Sequence, residues 1–189
     1  QDAEKLSGKG DTSQKLTLMK TSADSLKKSA DALNDSSLWE KKKIKKKDEK
    51  TGEEIEVEDY DWDKITKAVK SFVEDYNDVV REAGESNTKD VLRNASWMTG
   101  MTDKNSNMLA KIGITIGKGN KLELDEDALK QADISSLKTV FTGYNSFVSK
   151  ISQKATGISN AANRASATYT NNGTYSKTDS SLTSSKIDK

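Results

Sequence analysis

The sequence of 189 residues contains no cysteine, no proline and no histidine. These absences exclude disulfides, Cys/His zinc sites, and both Ser-His and Cys-His nucleophile pairs. Because proline is the strongest helix breaker, its absence permits long, continuous helices. No apolar run approaches the roughly 20 residues that a membrane-spanning helix needs, so no membrane span is expected.

Neither sign of charge is in excess, since the chain has 31 Lys+Arg against 30 Asp+Glu and a net charge of +1. A dedicated nucleic-acid binder usually carries a basic surplus, so we expect no nucleic-acid partner. Hydrophobic residues make up 32% of the chain, which predicts a thin core and polar tails. The first residue is Gln1 and not Met, so we expect a processed or excised chain.

The two ends are the most polar segments. Residues 1–12 and 169–189 are rich in Ser, Thr, Asn, Lys and Gly, which predicts disordered tails. Residues 13–168 are predicted to form a single helical domain. Its first helix covers 13–35, with Thr12 or Ser13 as the cap. The apolar positions of this helix are spaced three and four residues apart, as in a heptad: Leu16, Met19, Ala23, Leu26, Ala30 and Leu33.

Three longer helical patterns follow. The second helix spans 63–82 and carries a wider apolar stripe, typical of a helix that packs on two neighbours. The third covers 88–111, with a break expected near Gly100. The last has the longest regular seam of the chain, formed by Tyr144, Val148, Ile151, Ala155, Ile158, Ala162 and Ala165.

Together these patterns predict a mainly α fold, an elongated helical bundle with coiled-coil-like terminal helices and two small β-hairpins. The terminal helices are expected to run alongside the helix of Ile65–Val80. Their seams predict pairing, either with each other inside one bundle or with another copy as a homo-oligomer. The candidate assembly residues, called here the terminal seam, are Leu16, Leu26, Leu33, Tyr144, Val148, Ile151 and Ile158.

The first predicted hairpin covers 39–60, where the basic run Lys41–Lys47 is followed by the acidic run Glu53–Asp59. We predict the register that places Ile44 opposite Ile55, because lysines then face glutamates across the ladder. In this interpretation the lysines are neutralised by their own chain. The alternative is a patch that binds nucleic acid or an anionic membrane.

A contact between Trp39 and Tyr60 is predicted at the base of this hairpin. The second predicted hairpin covers 112–124 and turns through the stretch Gly117–Asn120. Asp125 is then expected to cap a brief helix over 128–132.

No constellation of residues predicts chemistry, so the sequence assigns no catalytic, cofactor-binding or metal-binding residue, and we expect no enzyme. The run Asp59-Tyr-Asp61-Trp-Asp63 has the first three carboxylate positions of a calcium loop but lacks the glycine and the final glutamate. Capping of the second helix by Asp61 or Asp63 is the simpler interpretation.

One candidate partner patch contains a tryptophan and two methionines, whose flexible thioethers give an adaptable apolar surface. Core packing of the tryptophan is the alternative. The patch consists of Trp97, Met98 and Met101.

Two stretches resemble the flagellar filament-cap proteins, the hook-associated protein 2 family. Residues 68–80 match that family's helix pattern at Phe72, Val73, Tyr76 and Asn77. Residues 108–133 are similar to the family's Ile-Gly-Ile-Thr hairpin and its Leu-x-Leu-Asp entry into a helix. The matching positions in this second stretch are Leu109, Ile112, Gly113, Ile114, Thr115, Leu122, Leu124, Asp125 and Leu129.

The resemblance, over residues 52–165, implies a structural component of the bacterial flagellum that is exported through the flagellar type III apparatus. It implies an extracellular ring at the filament tip, terminal helices paired as a coiled coil, and flagellin or hook-associated proteins as partners. The family carries β-rich outer domains where this chain has the 41–59 hairpin. The alternative function is a secreted or cell-surface binding module that uses the hairpin tip or the patch around Trp97.

Overall fold

The computed structural model describes the backbone of residues 10–173 and the side chains of residues 10–167. The predicted tails at 1–9 and 174–189 lie outside the described residues. Within the described range the elements are α1 (Ser13–Leu33), β1 (Lys42–Lys47), β2 (Glu54–Asp59), α2 (Trp62–Gly84), α3 (Lys89–Lys104), α4 (Ser106–Ala110), β3 (Ile114–Ile116), β4 (Leu122–Leu124), α5 (Glu126–Gln131), α6 (Ile134–Phe141) and α7 (Phe147–Gly173).

Four long helices form a closed bundle, so the prediction of a mainly α fold with two hairpins is confirmed. In the bundle, α1 packs on α2 and α7, while α3 packs on the other sides of the same two helices. The sequence predicts that the C-terminal helix runs alongside α2. In the structure this helix instead faces α2 across the core. The small elements α4–α6, with β3 and β4, connect α3 to α7.

Helix α1 begins and packs as its sequence predicts. The Thr12 hydroxyl accepts a hydrogen bond from the Lys15 N–H at 3.1 Å, which satisfies one of the free donors of the first turn. The helix continues to Leu33 with no proline or glycine to interrupt it. All six positions of its heptad are buried: Leu16, Met19, Ala23, Leu26, Ala30 and Leu33.

The third predicted helix is interrupted at Asn105 and not near Gly100. Helix α3 passes through Gly100, which is exposed and has open space around its Cα, so this glycine causes no break. The turn ends where the Asn105 N–H bonds to the Thr102 carbonyl at 3.0 Å, and α4 starts at the next residue. Thr102 and Asn105 are polar residues that interrupt the apolar seam of this helix in the sequence. They thus indicate the boundary better than the glycine does.

The start of the last helix differs from the prediction. Helix α7 begins at Phe147, and Tyr144 lies in the preceding loop with 84% of its surface exposed. Gly143 adopts φ +103° there, which ends the helical path. The sequence also gave no sign of α6, a short helix that buries Val140 and Phe141 against the bundle.

The first hairpin exists, but its register is shifted by two residues from the predicted one. Ile44 lies opposite Val57 and not opposite Ile55, and Lys42 lies opposite Asp59. A shift of two keeps every side chain on its predicted face. It also replaces the unfavourable pair of Glu40 and Asp59 with the favourable pair of Lys42 and Asp59.

The base of this hairpin is also different from the prediction. Trp39 does not extend β1 opposite Tyr60, because it belongs to a short 3-10 helix, Ser36–Trp39, and is 1% exposed in the core. Its ring stacks on Phe141 with a centroid distance of 5.7 Å, and its indole N–H donates to the Leu33 carbonyl at 2.7 Å. Tyr60 instead makes an edge contact with Trp62.

The second hairpin is confirmed at β3 and β4, with Ile114 opposite Leu124. Asp125 caps α5 as predicted, since its carboxylate accepts a hydrogen bond from the Ala128 N–H at 3.1 Å. Gly113, just before β3, has φ +92°, and a Cβ there would lie 2.7 Å from the Asp125 carbonyl oxygen. The hairpin is therefore pressed directly against the start of α5.

Candidate assembly surfaces

The terminal seam lies inside the chain's own bundle. Of its seven residues, six are buried at 0–2% exposure, namely Leu16, Leu26, Leu33, Val148, Ile151 and Ile158. The seventh, Tyr144, lies outside the seam in the exposed loop before α7. The helices that carry the six buried residues, α1 and α7, pack closely against each other. In the structure the seam is thus used for the bundle, and any external contact needs another surface.

Two identical polar clusters fix the register of α1 against α7. The Ser152 hydroxyl donates to Asp31 at 2.7 Å, and the Ser159 hydroxyl donates to Asp24 at 2.6 Å. Because the serine number rises as the aspartate number falls, the two helices are antiparallel. The two aspartates are seven residues apart in sequence, and so are the two serines. Seven residues is the heptad interval, so the same contact repeats along the seam.

Each aspartate of these clusters is also paired with a lysine one turn earlier on α1. Lys20 contacts Asp24 at 2.8 Å and Lys27 contacts Asp31 at 2.6 Å. Partial burial by itself raises the pKa of Asp24, but the hydrogen bonds from Lys20 and Ser159 outweigh it and hold the pKa below its ordinary value. The repeated Lys-x-x-x-Asp spacing and the repeated serine were visible in the sequence, although nothing there showed that they meet.

The beginning of the described chain is tied to the corner between α2 and α3. The buried Asp11 carboxylate accepts hydrogen bonds from the Thr88 hydroxyl at 2.6 Å, the Ser86 hydroxyl at 2.7 Å and the Asn87 N–H at 2.8 Å. Burial alone raises the pKa of Asp11, but these bonds and Lys15 together hold it below its ordinary value. Asp11 was predicted to lie in a disordered tail; a lone acid in a polar run gives no signal of such a pocket.

The Phe-Val-x-x-Tyr-Asn motif of α2 connects this helix to four other elements of the fold: α3, α6, α7 and β4. The Phe72 ring makes edge contacts with Phe141 and Phe147, each at 6.3 Å between centroids. The Tyr76 hydroxyl donates to the Thr102 hydroxyl on α3 at 2.8 Å, and burial raises the pKa of Tyr76 to about 12.

Asn77 completes the motif by holding the second hairpin. Its side-chain amide donates to the Leu122 carbonyl at 3.0 Å, and its side-chain oxygen accepts from the Leu122 N–H at 2.7 Å. The backbone N–H and carbonyl of Leu122, at the start of β4, are thereby paired as they would be by a neighbouring strand. The motif is therefore explained by the architecture and needs no ligand.

Replacing Asn77 with Ala is expected to loosen β3 and β4 from the bundle. The change leaves the Leu122 N–H and carbonyl unpaired in a partly buried place, which costs about 1–3 kcal/mol of unfolding free energy. We expect faster amide hydrogen exchange at residues 114–124, measured by mass spectrometry. Asn107→Ala is the control, since Asn107 is exposed and should change neither quantity. Equal exchange in the two variants would contradict this role of Asn77.

The predicted partner patch does not exist as a surface. Met98 is fully buried and Met101 is 8% exposed, so both belong to the core. Only Trp97 is at the surface, 49% exposed, with the Lys154 ammonium 4.1 Å from its ring centroid. This cation–π contact joins α3 to α7. Met101 lies one turn after Trp97 on neighbouring positions of α3, so the spacing alone does not separate the tryptophan from the methionines.

The calcium-like run is used for capping. The Asp61 carboxylate accepts a hydrogen bond from the Lys64 N–H at 3.1 Å and so begins α2. In the part of the chain that the structure describes, no group of three or more Asp, Glu, His or Cys residues has the geometry to hold a metal ion. Between residues 10 and 173, no helix is both long enough and apolar enough to cross a membrane.

The first hairpin is a further exposed feature, and its two faces differ. One face is purely charged and exposed, with lysines of β1 directly opposite glutamates of β2: Lys43 opposite Glu58, Lys45 opposite Glu56, and Lys47 opposite Glu54. The other face carries Ile44, Ile55 and Val57. Here Lys46 bonds to Asp59 at 2.7 Å, and this bond, with the Tyr60 N–H, lowers the pKa of Asp59.

The fold and these surfaces define a class of protein, a helical-bundle structural protein that carries a projecting hairpin. The family model described as flagellar hook-associated protein 2 C-terminus matches residues 86–189, more than half of the chain. The chain belongs to this family, which confirms the resemblance seen in the sequence. No curated protein matches the chain, and no solved structure matches it.

Proposed function

We propose that this chain is a filament-cap-like or axial component of the bacterial flagellum, located outside the cell at the filament. The observation that carries the proposal is the family match over residues 86–189. Its role is structural, and its partners are flagellin or hook-associated proteins. The Phe-Val-x-x-Tyr-Asn motif of α2, which precedes the matched range, supports the same assignment, because Asn77 binds the hairpin inside that range.

Assembly in this proposal uses surfaces other than the terminal seam. Six of the seven seam residues are already buried in the bundle formed by α1 and α7, so these two helices act as one preformed unit. Contacts with other flagellar proteins then fall on the outer faces of the bundle and on the first hairpin. The alternative function, a secreted binding module, retains the hairpin tip as its surface but loses the patch, because Met98 and Met101 are buried.

The test is deletion of the gene in the organism that carries it. Loss of a cap component should shorten or abolish filaments in electron micrographs and release unassembled flagellin into the medium. Complementation with the wild-type gene and with a Trp97→Ala variant should restore filaments, whereas the core variant Trp39→Ala should not. Normal filaments and normal swimming after deletion would refute the proposal. A purified monomer that binds a carbohydrate or a host protein through the hairpin tip would favour the alternative.

A further inference from the structure

The first hairpin has two open edges. Among residues 10–173, strands β1 and β2 form a sheet of two strands, in which each is the other's single neighbour. Each strand therefore presents, on its outer side, backbone N–H and C=O groups that are not paired with another strand. Such an edge is a template for the addition of a further strand.

The alternation of the ladder shows which residues form each edge. The Asp48 N–H donates to the Glu53 carbonyl at 2.7 Å, so these two residues are a hydrogen-bonded pair. Hydrogen-bonded and non-hydrogen-bonded pairs alternate along an antiparallel ladder. In every second pair counted from Asp48 and Glu53, the backbone N–H and C=O groups therefore point inward, toward the partner strand. The groups that point outward belong to three lysines on β1 and three glutamates on β2, namely Lys43, Lys45 and Lys47, and Glu54, Glu56 and Glu58.

Each edge thus carries charge of one sign. Pairing β1 with β1 of another copy would set lysine opposite lysine, and pairing β2 with β2 would set glutamate opposite glutamate. Both arrangements are destabilising. Lysines on an edge strand commonly prevent edge-to-edge association. In this hairpin the edge of β2 is acidic. Charge repulsion therefore prevents the pairing of two β1 edges or of two β2 edges, but it does not prevent the pairing of a β1 edge with a β2 edge.

We propose that a second copy of this chain binds by adding the outer edge of its β2 to the outer edge of β1. The two strands run antiparallel when the hairpins of both copies point the same way, as β1 and β2 already do within one copy. The register that repeats the internal ladder places Lys45 opposite the second copy's Glu56. It also continues the apolar face, since Ile44 meets a second Val57.

The contact is directional, because unlike edges meet. In a pair, one copy keeps a free β2 edge and the other keeps a free β1 edge. Further copies can therefore add at either end through the same contact. A heterologous contact of this kind closes into a ring when its rotation permits and otherwise forms an open chain. The apolar residues of the hairpin, Ile44, Val57 and the 39% exposed Ile55, then line one continuous side of the assembly.

Sedimentation of the purified chain tests the association. We expect the average mass to rise with protein concentration at low salt and to fall again at high salt. The electrostatic screening length shrinks from about 30 Å at 0.01 M to about 3 Å at 1 M ionic strength, which weakens exposed Lys–Glu pairs. A mass of one chain at every concentration and salt would overturn the proposal.

The variant Lys45→Pro tests the outer edge of β1 without removing a hydrogen bond inside the hairpin. The Lys45 N–H points outward, so Lys45→Pro removes a donor for the added strand and leaves the internal ladder bonds in place. This variant is expected to remain monomeric, with a circular dichroism spectrum and melting temperature close to wild type. A variant that is folded and still associates like wild type would contradict the edge contact. If Lys45→Pro alters the spectrum, Lys45→Ala, which keeps the N–H and removes the charge, should weaken the association partially.

Cysteine cross-linking determines which edges meet, and the chain offers a clean background because it has no cysteine. Lys45→Cys and Glu56→Cys chains, one carrying a mass label, are mixed in equal amounts with a short thiol-reactive cross-linker. Random pairing gives the mixed product twice the amount of each product between identical variants, and we expect the mixed product to exceed this ratio. The control replaces Lys45→Cys by Lys28→Cys, an exposed position on α1, and should give no enrichment. A random product ratio, or an excess of Lys45→Cys pairs, would overturn the proposed pairing.

This inference does not depend on the flagellar function. The association is measured on the purified chain, whereas the proposed function is measured by filaments in cells. Self-pairing without an effect of gene deletion would refute the function alone. A deletion effect with a chain that remains monomeric in solution would refute the pairing alone.

Discussion

Trp39→Ala is expected to cause the largest loss of stability of any single tryptophan change in this chain. The indole is 1% exposed, stacks on Phe141, and donates its N–H to the Leu33 carbonyl. Removing a buried aromatic side chain leaves a cavity and costs about 3–5 kcal/mol. Total stabilities of domains are about 5–15 kcal/mol, so the variant loses a large share of its margin. Urea unfolding followed by circular dichroism measures the difference.

Trp97→Ala is the matched control for this prediction. Trp97 is 49% exposed and is covered on one side by Lys154. An exposed cation–π contact contributes about 0.5–1 kcal/mol, so the loss should be several times smaller than at Trp39. Similar losses for the two variants would show that Trp39 does not hold the base of the hairpin and α6 together.

Gly113→Ala is expected to be the most damaging of the glycine substitutions. At φ +92° an alanine is strained, and its Cβ would lie 2.7 Å from the Asp125 carbonyl oxygen and 3.0 Å from the Leu129 nitrogen. Both contacts are with backbone atoms, which cannot turn away as a flexible side chain does. Since Gly113 also accepts the Asp125 N–H through its carbonyl at 2.8 Å, relief of the clash moves α5 and weakens that bond.

Substitutions at two other glycines distinguish the two causes of this loss, the positive φ and the clash of the Cβ with the backbone of α5. Gly143→Ala has the strained φ of +103° but open space, so it should cost only the left-handed penalty of about 1–2 kcal/mol. Gly100→Ala lies in the middle of α3 with open space and should stabilise the chain by about 0.5–1 kcal/mol. The melting temperatures should therefore rank Gly100→Ala, wild type, Gly143→Ala, Gly113→Ala from highest to lowest. A Gly113→Ala chain as stable as Gly143→Ala would show that the close approach to α5 is relieved without cost.

The sequence was sufficient for those parts of the fold that depend on local periodicity. The heptads of α1 and α7, the caps at Thr12, Asp61 and Asp125, and both hairpins follow from spacing and capping rules that act within a few residues. The family resemblance was also available from short motifs. These features needed no knowledge of which elements meet in space.

The errors arose where distant contacts decide. Periodicity extends the last seam to Tyr144, but the loop geometry at Gly143 is set by Asn34, whose side chain bonds both the N–H and the carbonyl of Gly143. The predicted hairpin register rests on the Ile44–Ile55 pair and on pairs of opposite charge, and a shift of two residues gives nearly the same number of favourable pairs, so local pairing rules do not distinguish the two registers. Met98 and Met101 follow a helical spacing that fits either a buried or an exposed face, and only the position of α3 in the bundle places them inside.

The antiparallel pairing of α1 with α7 also has a consequence for the order in which this protein becomes folded. The contacts that hold α1 to α7 join residues far apart in sequence: 121 positions between Asp31 and Ser152, and 135 between Asp24 and Ser159. Such contacts form slowly, since the closure of a long loop precedes any gain from it. During synthesis from the amino end, α1 has α2 as a neighbour but lacks its second one until α7 has been made. A nascent chain therefore keeps the side of α1 that faces α7 open until α7 has been made, and a truncation that removes α7 also uncovers the first helix.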